Sequence, residues 1–267
     1  MPTTEPRLEA CIAIARAAGE AIMAIYAEDF SVQTKADQSP LTEADLASHR
    51  LIKTRLAQLT PEIPLLSEEG AAVAFEQRRV WRSYWLIDPL DGTKEFVRRN
   101  GEFTVNIALI EEGVPVLGVV HAPALAVTYA GVRGLGAIRL RESKRGSIHT
   151  RRAVDPPVLV ISKSHRDAAL DALSARLPAH ISTSRGSSLK FCLVAEGSAD
   201  FYPRTGPTSE WDTAAGQAVA EAAGAQVVRL PDWQPLRYNT KPSLINPGFA
   251  VIGDPAYPWR RHFEIPA

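Results

Sequence analysis

Residues 85–96 read Trp85-Leu86-Ile87-Asp88-Pro89-Leu90-Asp91-Gly92-Thr93-Lys94-Glu95-Phe96, an apolar run that ends in two aspartates and a glycine. The apolar part predicts a buried strand, and the Asp-Pro-Leu-Asp-Gly part predicts a turn. Gly92 has no side chain to obstruct a ligand, and the chain after it can begin a helix whose N–H groups point at an anion. Two carboxylates and an anion cradle in one turn are what a site for phosphate and Mg²⁺ needs.

Other acidic residues bear on whether this turn is functional or only a surface turn. Glu68 follows a short apolar run at 64–67, and Asp212 precedes a helix predicted over 213–223. An acid at a helix start also interacts favourably with the helix dipole, so no single carboxylate decides the matter. Asp45 raises the same question, because Thr42 and Asp45 resemble a capping box at the start of a second helix.

Charge and composition limit the class of protein. The 267 residues carry 30 Lys+Arg and 30 Asp+Glu, which argues against a nucleic-acid-binding or polybasic membrane protein. Cationic contacts to an anionic ligand must therefore be local. No uncharged stretch is long enough for a signal sequence or a membrane span, so we expect a cytoplasmic protein without a transmembrane segment. Cys11 and Cys192 lie in apolar helical patterns and are predicted to be reduced core thiols.

The hydrophobic pattern changes along the chain and predicts two halves. In the first half, over 1–153, helices pack on an antiparallel sheet, and in the second half, over 154–267, strands and helices alternate in an α/β layer. The basic and then Pro-rich stretch 141–157 is interpreted as the connection, with its basic run as a solvated hairpin. The helices are predicted at 8–26, 43–59, 167–176, 188–196 and 213–223, with a loop at 35–40. The strands are predicted at 64–67, 84–87, 103–110, 114–121, 126–130, 136–140, 158–162, near 181, and at 200–202, 226–229 and 249–252.

Two motifs together resemble the paired signatures of the inositol monophosphatase superfamily of lithium-sensitive, Mg²⁺-dependent phosphatases. They are Asp-Pro-Leu-Asp-Gly-Thr at 88–93 and Trp-Asp-Thr-Ala-Ala-Gly at 211–216. Further segments at 39–42, 66–69, 91–96, 162–165 and 186–197 are similar to the 3′(2′),5′-bisphosphate nucleotidase branch of that superfamily. The resemblance covers nearly the whole chain. It implies a layered αβαβα sandwich with the metal site between the two halves.

The resemblance also implies a set of metal ligands. Glu68, Asp88 and the backbone carbonyl of Leu90 would hold one Mg²⁺, and Asp88, Asp91 and Asp212 would hold a second. A third, looser ion would bind at Glu68, so that two to three Mg²⁺ ions serve as cofactors.

The catalytic roles are carried over in the same way. The N–H groups of Gly92 and Thr93 would bind the phosphate, and Asp45 would orient the Thr93 hydroxyl. Water activated by the metals would attack phosphorus, with Asp45, Thr93 and Glu68 as the catalytic residues. The chain offers no alternative nucleophile, because no cysteine lies in a phosphate-loop pattern and no P-loop motif occurs.

Substrate choice depends on where the chain places its positive charge. Ser188, Lys190 and Arg204 lie in segments resembling those that hold the second phosphate and the nucleoside, and His165 is a candidate for the nucleoside pocket. By itself, each of the two cations would be read as an ordinary exposed side chain. A bisphosphorylated substrate nevertheless needs positive charge beyond the reach of the metals, and arginine suits this because it hydrogen-bonds in a bidentate manner.

The implied reaction is hydrolysis of adenosine 3′,5′-bisphosphate to AMP and phosphate, with the sulfated analogue as a second substrate, in sulfur assimilation. An inositol monophosphatase is the enzymatic alternative, and a metal-dependent nucleotide sensor is the alternative without catalysis. The only partner expected is a small-molecule substrate, and a monomer is favoured. Attachment to the cytoplasmic face of the inner membrane stays open.

Overall fold

Two β-sheets and the helices packed on them position the acidic residues. The computed structural model describes residues 4–28, 30–34, 40–161, 177 and 179–262. Its helices are α1 (Thr4–Tyr26), α2 (Glu43–Leu59), α3 (Phe75–Arg78), α4 (Thr93–Val97), α5 (Leu189–Ala195) and α6 (Glu210–Ala222). Its strands are β1 (Val32–Thr34), β2 (Pro40–Thr42), β3 (Leu65–Ser67), β4 (Ser83–Asp91), β5 (Thr104–Glu111), β6 (Val114–Ala122), β7 (Val127–Val132), β8 (Gly136–Arg141), β9 (Lys144–Ile148), β10 (Val158–Ile161), β11 (Ile181–Ser184), β12 (Phe201–Arg204), β13 (Gln226–Arg229) and β14 (Phe249–Ile252).

The first sheet has seven strands in sequence order from β3 to β9. β3 pairs with β4 in parallel, and every later neighbour is antiparallel. In β4, Trp85 and Ile87 belong to the core cluster formed with α1 and α2, whereas Tyr84 and Leu86 belong to the cluster formed with α5 and α6. Helices therefore cover both faces of the sheet, which explains why this strand is a continuous apolar run.

The second sheet has five strands in the order β11-β10-β12-β14-β13, with β10 parallel to both of its neighbours. Phe249 and Val251 of this sheet share a core cluster with Leu86 of the first sheet and with Val219 of α6. The layers thus run from α1 and α2 through the first sheet, α5 and α6 to the second sheet. This is the predicted layered α/β sandwich, whose predicted helix at 167–176 lies outside the described residues.

Helix α6 lies very close to the first sheet at Gly118 of β6. A Cβ atom built on Gly118 would stand 2.4 Å from the carbonyl oxygen of Ala215, a separation that real Cβ atoms do not reach. Only glycine lets helix and strand approach this closely, and the start of α6 is thereby brought to the end of β4. Because both predicted halves contribute to one core, the division after residue 153 stays a prediction.

Several sequence-based boundaries were wrong. β4 does not break into a turn at Asp88 but continues to Asp91, with an irregularity in its pairing between the two aspartates. The stretch 141–157 is not wholly a connection, because 144–148 form β9 and extend the first sheet as an exposed hairpin, as its basic run indicated. Helix α6 begins at Glu210, three residues before the predicted start at Thr213, and the end of the predicted loop at Pro40 belongs to a short hairpin.

The prediction of two reduced core thiols is confirmed. Cys11 and Cys192 are both buried and free. No helix in the part of the chain that the structure describes has the length and apolar character to cross a membrane. The strands after the first hairpin and those at 226–229 and 249–252 lie where the hydrophobic pattern placed them.

Candidate active site

A cavity of about 340 Å³ opens at the end of β4, between the starts of α4, α5 and α6. Most of the residues predicted to act on metal or substrate line it. They are Glu68, Asp88, Leu90, Asp91, Gly92, Thr93, Ser188, Lys190, Arg204 and Asp212. Asp45 lies behind this wall and reaches it through Thr93, while His165 lies outside the described residues.

Asp91 ends β4 and is surrounded by hydrogen-bond donors from the second half of the chain. Its Oδ2 atom lies 2.5 Å from Ser187 Oγ, and the backbone N–H of Ser188 donates to it at 2.7 Å. Asn106, on the neighbouring strand β5, donates to the same oxygen at 3.3 Å. The orientation of this carboxylate is therefore fixed by a strand of the first sheet and by the residues just before α5.

Asp88 is fully buried and lies among like charges. Burial raises the pKa of this carboxyl well above its usual range, and the negative charges of Glu68, Asp91 and Asp212 raise it further. Two carboxyl groups as close as those of Glu68 and Asp88 repel each other unless a proton or a cation lies between them. Such a cluster is stable only if a proton or a cation compensates its charge.

Asp212 is the third residue of α6 and caps it. Its Oδ2 atom accepts the backbone N–H of Ser209 at 2.9 Å, which completes a capping box. Burial and the neighbouring Asp91 raise the pKa of Asp212 well above its usual range, although the Ser209 N–H opposes the shift. One carboxylate oxygen of Asp212 thus stabilises the start of α6, and the residue also lines the acidic cavity.

The donor set fits a hard divalent cation. Oxygen ligands from four carboxylates and a main-chain carbonyl are the kind that Mg²⁺ prefers, and the buried charge needs a positive counterpart. Among the described residues no three acidic, histidine or cysteine side chains stand in a ready ligating geometry. Asp91, Asp212 and Asp88 each direct one carboxylate oxygen to a donor of the protein, namely Ser187 Oγ, the Ser209 N–H and the Leu90 N–H.

The two carboxylate oxygens of Asp45 accept hydrogen bonds from two different parts of the chain. Oδ2 accepts the backbone N–H of Thr42 at 2.8 Å and so completes the predicted capping box of α2. Oδ1 accepts the hydroxyl of Thr93 at 3.2 Å, and the same hydroxyl lies 3.4 Å from the carbonyl of Leu90. Asp45 is 1% exposed, so both contacts lie away from solvent, and its catalytic role stays a prediction.

Gly92 is required by the backbone and by the space around it. It adopts φ +90°, and a Cβ atom there would lie 3.3 Å from Glu95 Oε2 and from Ser187 Cβ. Any side chain would be strained and would crowd the cavity wall. Helix α4 begins at the next residue, Thr93, so the N–H groups of 92 and 93 stand beside the carboxylates.

Lys190 and Arg204 line the cavity but are not exposed surface cations, with 8% and 6% of their surfaces accessible. Lys190 Nζ donates to the carbonyl of Ser187 at 2.7 Å and lies over the ring of Tyr202. Arg204 donates to the carbonyls of Gly206 and Pro207. Burial lowers the pKa of Lys190 to about 8, and the charge of Asp91 opposes that shift.

Sequence reasoning missed the polar residues that support the acids. Ser48 is fully buried, and its hydroxyl donates to the carbonyl of Pro89 at 2.7 Å. The hydroxyl oxygen Oγ1 of Thr104 lies 2.6 Å from Ser187 Oγ. Asn106 donates to Ser188 Oγ at 2.7 Å. A signal was present, since Asn106 is a polar residue inside an otherwise apolar strand, and such a residue needs a buried partner.

Known proteins resemble this chain over most of its length. The model of the inositol monophosphatase family matches residues 3–248. The chain is 55% identical over 242 residues to the 3′(2′),5′-bisphosphate nucleotidase CysQ of Escherichia coli O157:H7, covering 89% of this chain and 96% of that protein. Among solved structures, CysQ from Bacteroides thetaiotaomicron is 41% identical with a TM-score of 0.84, covering 94% of this chain and 98% of that one. An IMPase of Thermotoga maritima is 25% identical with a TM-score of 0.77, covering 93% and 92%.

Proposed function

This chain belongs to the inositol monophosphatase family, and on that basis we propose that it is a Mg²⁺-dependent 3′(2′),5′-bisphosphate nucleotidase. It hydrolyses adenosine 3′,5′-bisphosphate to AMP and phosphate, and the sulfated analogue is a second substrate. The relatives that are more than half identical over nearly their full length carry that name, which favours a nucleotidase over an inositol monophosphatase.

One observation carries the proposal. Glu68, Asp88, Asp91 and Asp212 come from distant parts of the chain and line one cavity with the cations Lys190 and Arg204. Four clustered acids would repel the phosphates of a nucleotide unless metal ions stood between them, and binding alone would not also need Asp45 to hold the Thr93 hydroxyl beside them. The arrangement therefore supports phosphoryl transfer rather than a metal-dependent nucleotide sensor.

Two to three Mg²⁺ ions would be held by Glu68, Asp88, Asp91, Asp212 and the Leu90 carbonyl. When bound, they supply positive charge that stabilises the phosphoryl oxygens and the leaving oxygen and that lowers the pKa of water. The serine and asparagine donors around Asp91 keep its carboxylate oriented. The capping bond from Ser209 does the same for Asp212.

The chain's own groups then orient the reactants. Asp45 accepts a hydrogen bond from the Thr93 hydroxyl. The lone pairs of that hydroxyl oxygen therefore remain available to accept a hydrogen bond from water. The N–H groups of Gly92 and Thr93 bind phosphate oxygens. In the balanced reaction a water oxygen bonds to phosphorus as the bond to the ribose 3′ oxygen breaks, and that oxygen gains a proton.

Lys190 and Arg204 would recognise the second phosphate. Both are cationic side chains in the wall of the cavity that the acids also line. In a chain of zero net charge these local cations distinguish a bisphosphate from a monophosphate. Lithium sensitivity, a cytoplasmic location and a role in sulfur assimilation belong to the same proposal and are supported by the family resemblance alone.

Phosphate release from a panel of substrates tests the function. The purified protein is assayed on adenosine 3′,5′-bisphosphate, its sulfated analogue, inositol 1-phosphate and a sugar phosphate, with Mg²⁺ or with a chelator. We expect the highest kcat/KM on the two nucleotides and no turnover in the chelator. Equal or higher rates on inositol 1-phosphate would favour the alternative enzyme, and turnover that does not need the metal would overturn the mechanism.

A further inference from the structure

A buried arginine connects the segment after Glu68 with the segment that holds the start of α6. Arg78 ends α3 and is 1% exposed. Its guanidinium donates to the side-chain oxygen of Asn239 and to the carbonyls of Lys241 and Pro242. Asn239 Nδ2 donates back to the Arg78 carbonyl at 2.6 Å. These reciprocal bonds join residues 161 positions apart.

The connection continues from Asn239 to α6. The backbone N–H of Asn239 donates to both carboxylate oxygens of Glu210, each at 3.0 Å. Glu210 is the first residue of α6 and is 1% exposed. Asp212 follows two residues later, in the same helical turn. Arg78, Asn239 and Glu210 therefore form an unbroken chain of contacts, which we call the Arg78 clamp.

The clamp is one of several attachments of this helix start. At another attachment, Asn246 Nδ2 donates to the Ser209 carbonyl at 2.8 Å and to Thr213 Oγ1 at 3.0 Å. Asn246 comes from the same C-terminal segment as Asn239, whereas Arg78 comes from the segment that follows Glu68. The clamp therefore ties α6 to the part of the chain that carries the other acids.

We propose that Arg78 is a positioning residue that sets the distance between Asp212 and the acids of the first sheet. This inference rests on the proposed metal dependence of the function. Ligand atoms must lie within about 0.5 Å of their productive positions to hold a metal, so a small shift of the α6 start weakens binding. Arg78 is not among the residues that line the cavity and acts on Asp212 through Asn239 and Glu210.

The test compares four variants with the wild-type protein. Arg78→Met removes the clamp, and Arg78→Lys keeps a cation that can satisfy part of it. Asn239→Gly removes only the side-chain bonds, because glycine keeps the N–H donor to Glu210 and suits the φ of +56° at this position. Arg82→Met is the matched control, since Arg82 is on the same segment, has a side chain that is 84% exposed and forms an ion pair with Glu112.

Two quantities are measured, namely the Mg²⁺ concentration for half-maximal phosphate release and the rise in Tm when Mg²⁺ is added to metal-free protein. We expect the half-maximal concentration to rise about tenfold in Arg78→Met, less in Asn239→Gly and Arg78→Lys, and not at all in Arg82→Met. The rise in Tm with Mg²⁺ should shrink in the same order. A purely structural role would lower the Tm without moving the Mg²⁺ requirement.

The clamp is rejected if every folded Arg78 and Asn239 variant needs the same Mg²⁺ concentration as the wild-type protein. If Arg78→Met does not fold, Asn239→Gly decides the question alone. The proposed function is judged separately by the wild-type protein in the same assay, because absence of Mg²⁺-dependent turnover there would reject the function whatever the variants do.

Discussion

Asp91 Oδ2 lies 2.6 Å from Ser188 Oγ, although 97 positions separate the two residues along the chain. The same hydroxyl oxygen lies 2.8 Å from the carbonyl oxygen of Asp212 and accepts a hydrogen bond from Asn106 Nδ2. Ser188 is 2% exposed, so these contacts take place away from solvent. The serine thus links an acid at the end of β4 with an acid at the start of α6.

Ser188→Ala should reduce activity because it removes a hydroxyl group that holds Asp91 and Asp212 in place. Without the hydroxyl, Asn106 loses a buried partner and Asp91 loses one of its donors. We expect kcat to fall about tenfold and the Mg²⁺ requirement to rise, with KM for the nucleotide little changed. Steady-state kinetics at several Mg²⁺ concentrations measure all three. Ser198→Ala, at an exposed serine hydrogen-bonded to Glu196, is the control. A change confined to the nucleotide KM would instead assign Ser188 to substrate binding.

Lys190→Met should impair the bisphosphate more than a monophosphate. The ammonium group is buried in the cavity wall, where a charge-assisted bond to phosphate is strong. We expect KM for adenosine 3′,5′-bisphosphate to rise about tenfold or more, and that for adenosine 3′-monophosphate to change little. Lys144→Met, at an exposed hairpin position, controls for loss of charge. Equal effects on both substrates would show that Lys190 serves only to hold the carbonyl of Ser187.

Much of this site could be predicted from the sequence because its signals are local. The apolar run before Asp88, the Thr42–Asp45 capping box and the glycine after Asp91 each follow from neighbouring residues, and the structure contains all three. The family resemblance then named the partners that local patterns could not join. Asp212 shows the limit of local reasoning, since its helix was predicted to begin three residues too late. Ser209 is the N-cap of the helix, and the Ser-x-x-Asp spacing of a capping box at 209–212 would have predicted the correct start.

What could not be predicted depends on contacts between distant segments. Nothing near Arg78 indicates a partner 161 positions away, and an arginine in a short polar helix is ordinarily assigned to the surface. Lys190 and Arg204 were equally readable as exposed cations, and only the packing of two sheets around α5 and α6 buries them. These cations are buried only because several layers pack around them. The hydrophobic pattern of a single segment therefore cannot predict their burial.

Gly118→Ala should disturb the site from a distance. The added methyl group would stand 2.4 Å from the carbonyl oxygen of Ala215, so α6 must move away from the sheet and carry Asp212 with it. We expect a loss of about 2 kcal/mol in the free energy of unfolding together with reduced activity in the protein that remains folded. Gly146→Ala is the control, because a Cβ atom there meets nothing within 4 Å. Denaturant unfolding and kinetics measure the two effects. Wild-type stability in Gly118→Ala would contradict the close packing.

His121 should make the protein less stable in mild acid. Burial lowers its pKa to about 4, with Arg16 acting in the same direction and the Val127 carbonyl opposing. Since the unfolded pKa is about 6.5, the folded state binds the proton more weakly. The contribution of His121 to stability is complete above about pH 6.5 and is lost as the pH falls towards 4, by up to about 3 kcal/mol.

Urea unfolding of the wild-type protein and of His121→Gln between pH 4 and pH 7 measures this contribution. The slope of the free energy of unfolding against pH should be smaller in the variant, because glutamine does not titrate. His149→Gln, at an exposed position, is the matched control for loss of a histidine. Parallel slopes in all three proteins would mean that His121 is protonated as easily in the folded chain as in the unfolded one.

Asp91→Asn is the variant that separates metal binding from folding. The amide keeps the shape of the side chain but removes one charge from a cluster of mutually repelling acids, so the Tm in a chelator should be unchanged or higher. Turnover should fall at least about a hundredfold because a metal ligand is weakened. Asp232→Asn, at an exposed ion pair, controls for loss of charge.

Calorimetric titration of metal-free wild-type protein and of Asp91→Asn with Mg²⁺ decides whether the four converging carboxylates hold the ions that hydrolysis needs. We predict at least two bound ions in the wild-type protein, and at least one fewer, or one bound far more weakly, in Asp91→Asn. Identical binding curves for the two proteins would contradict the metal site described here.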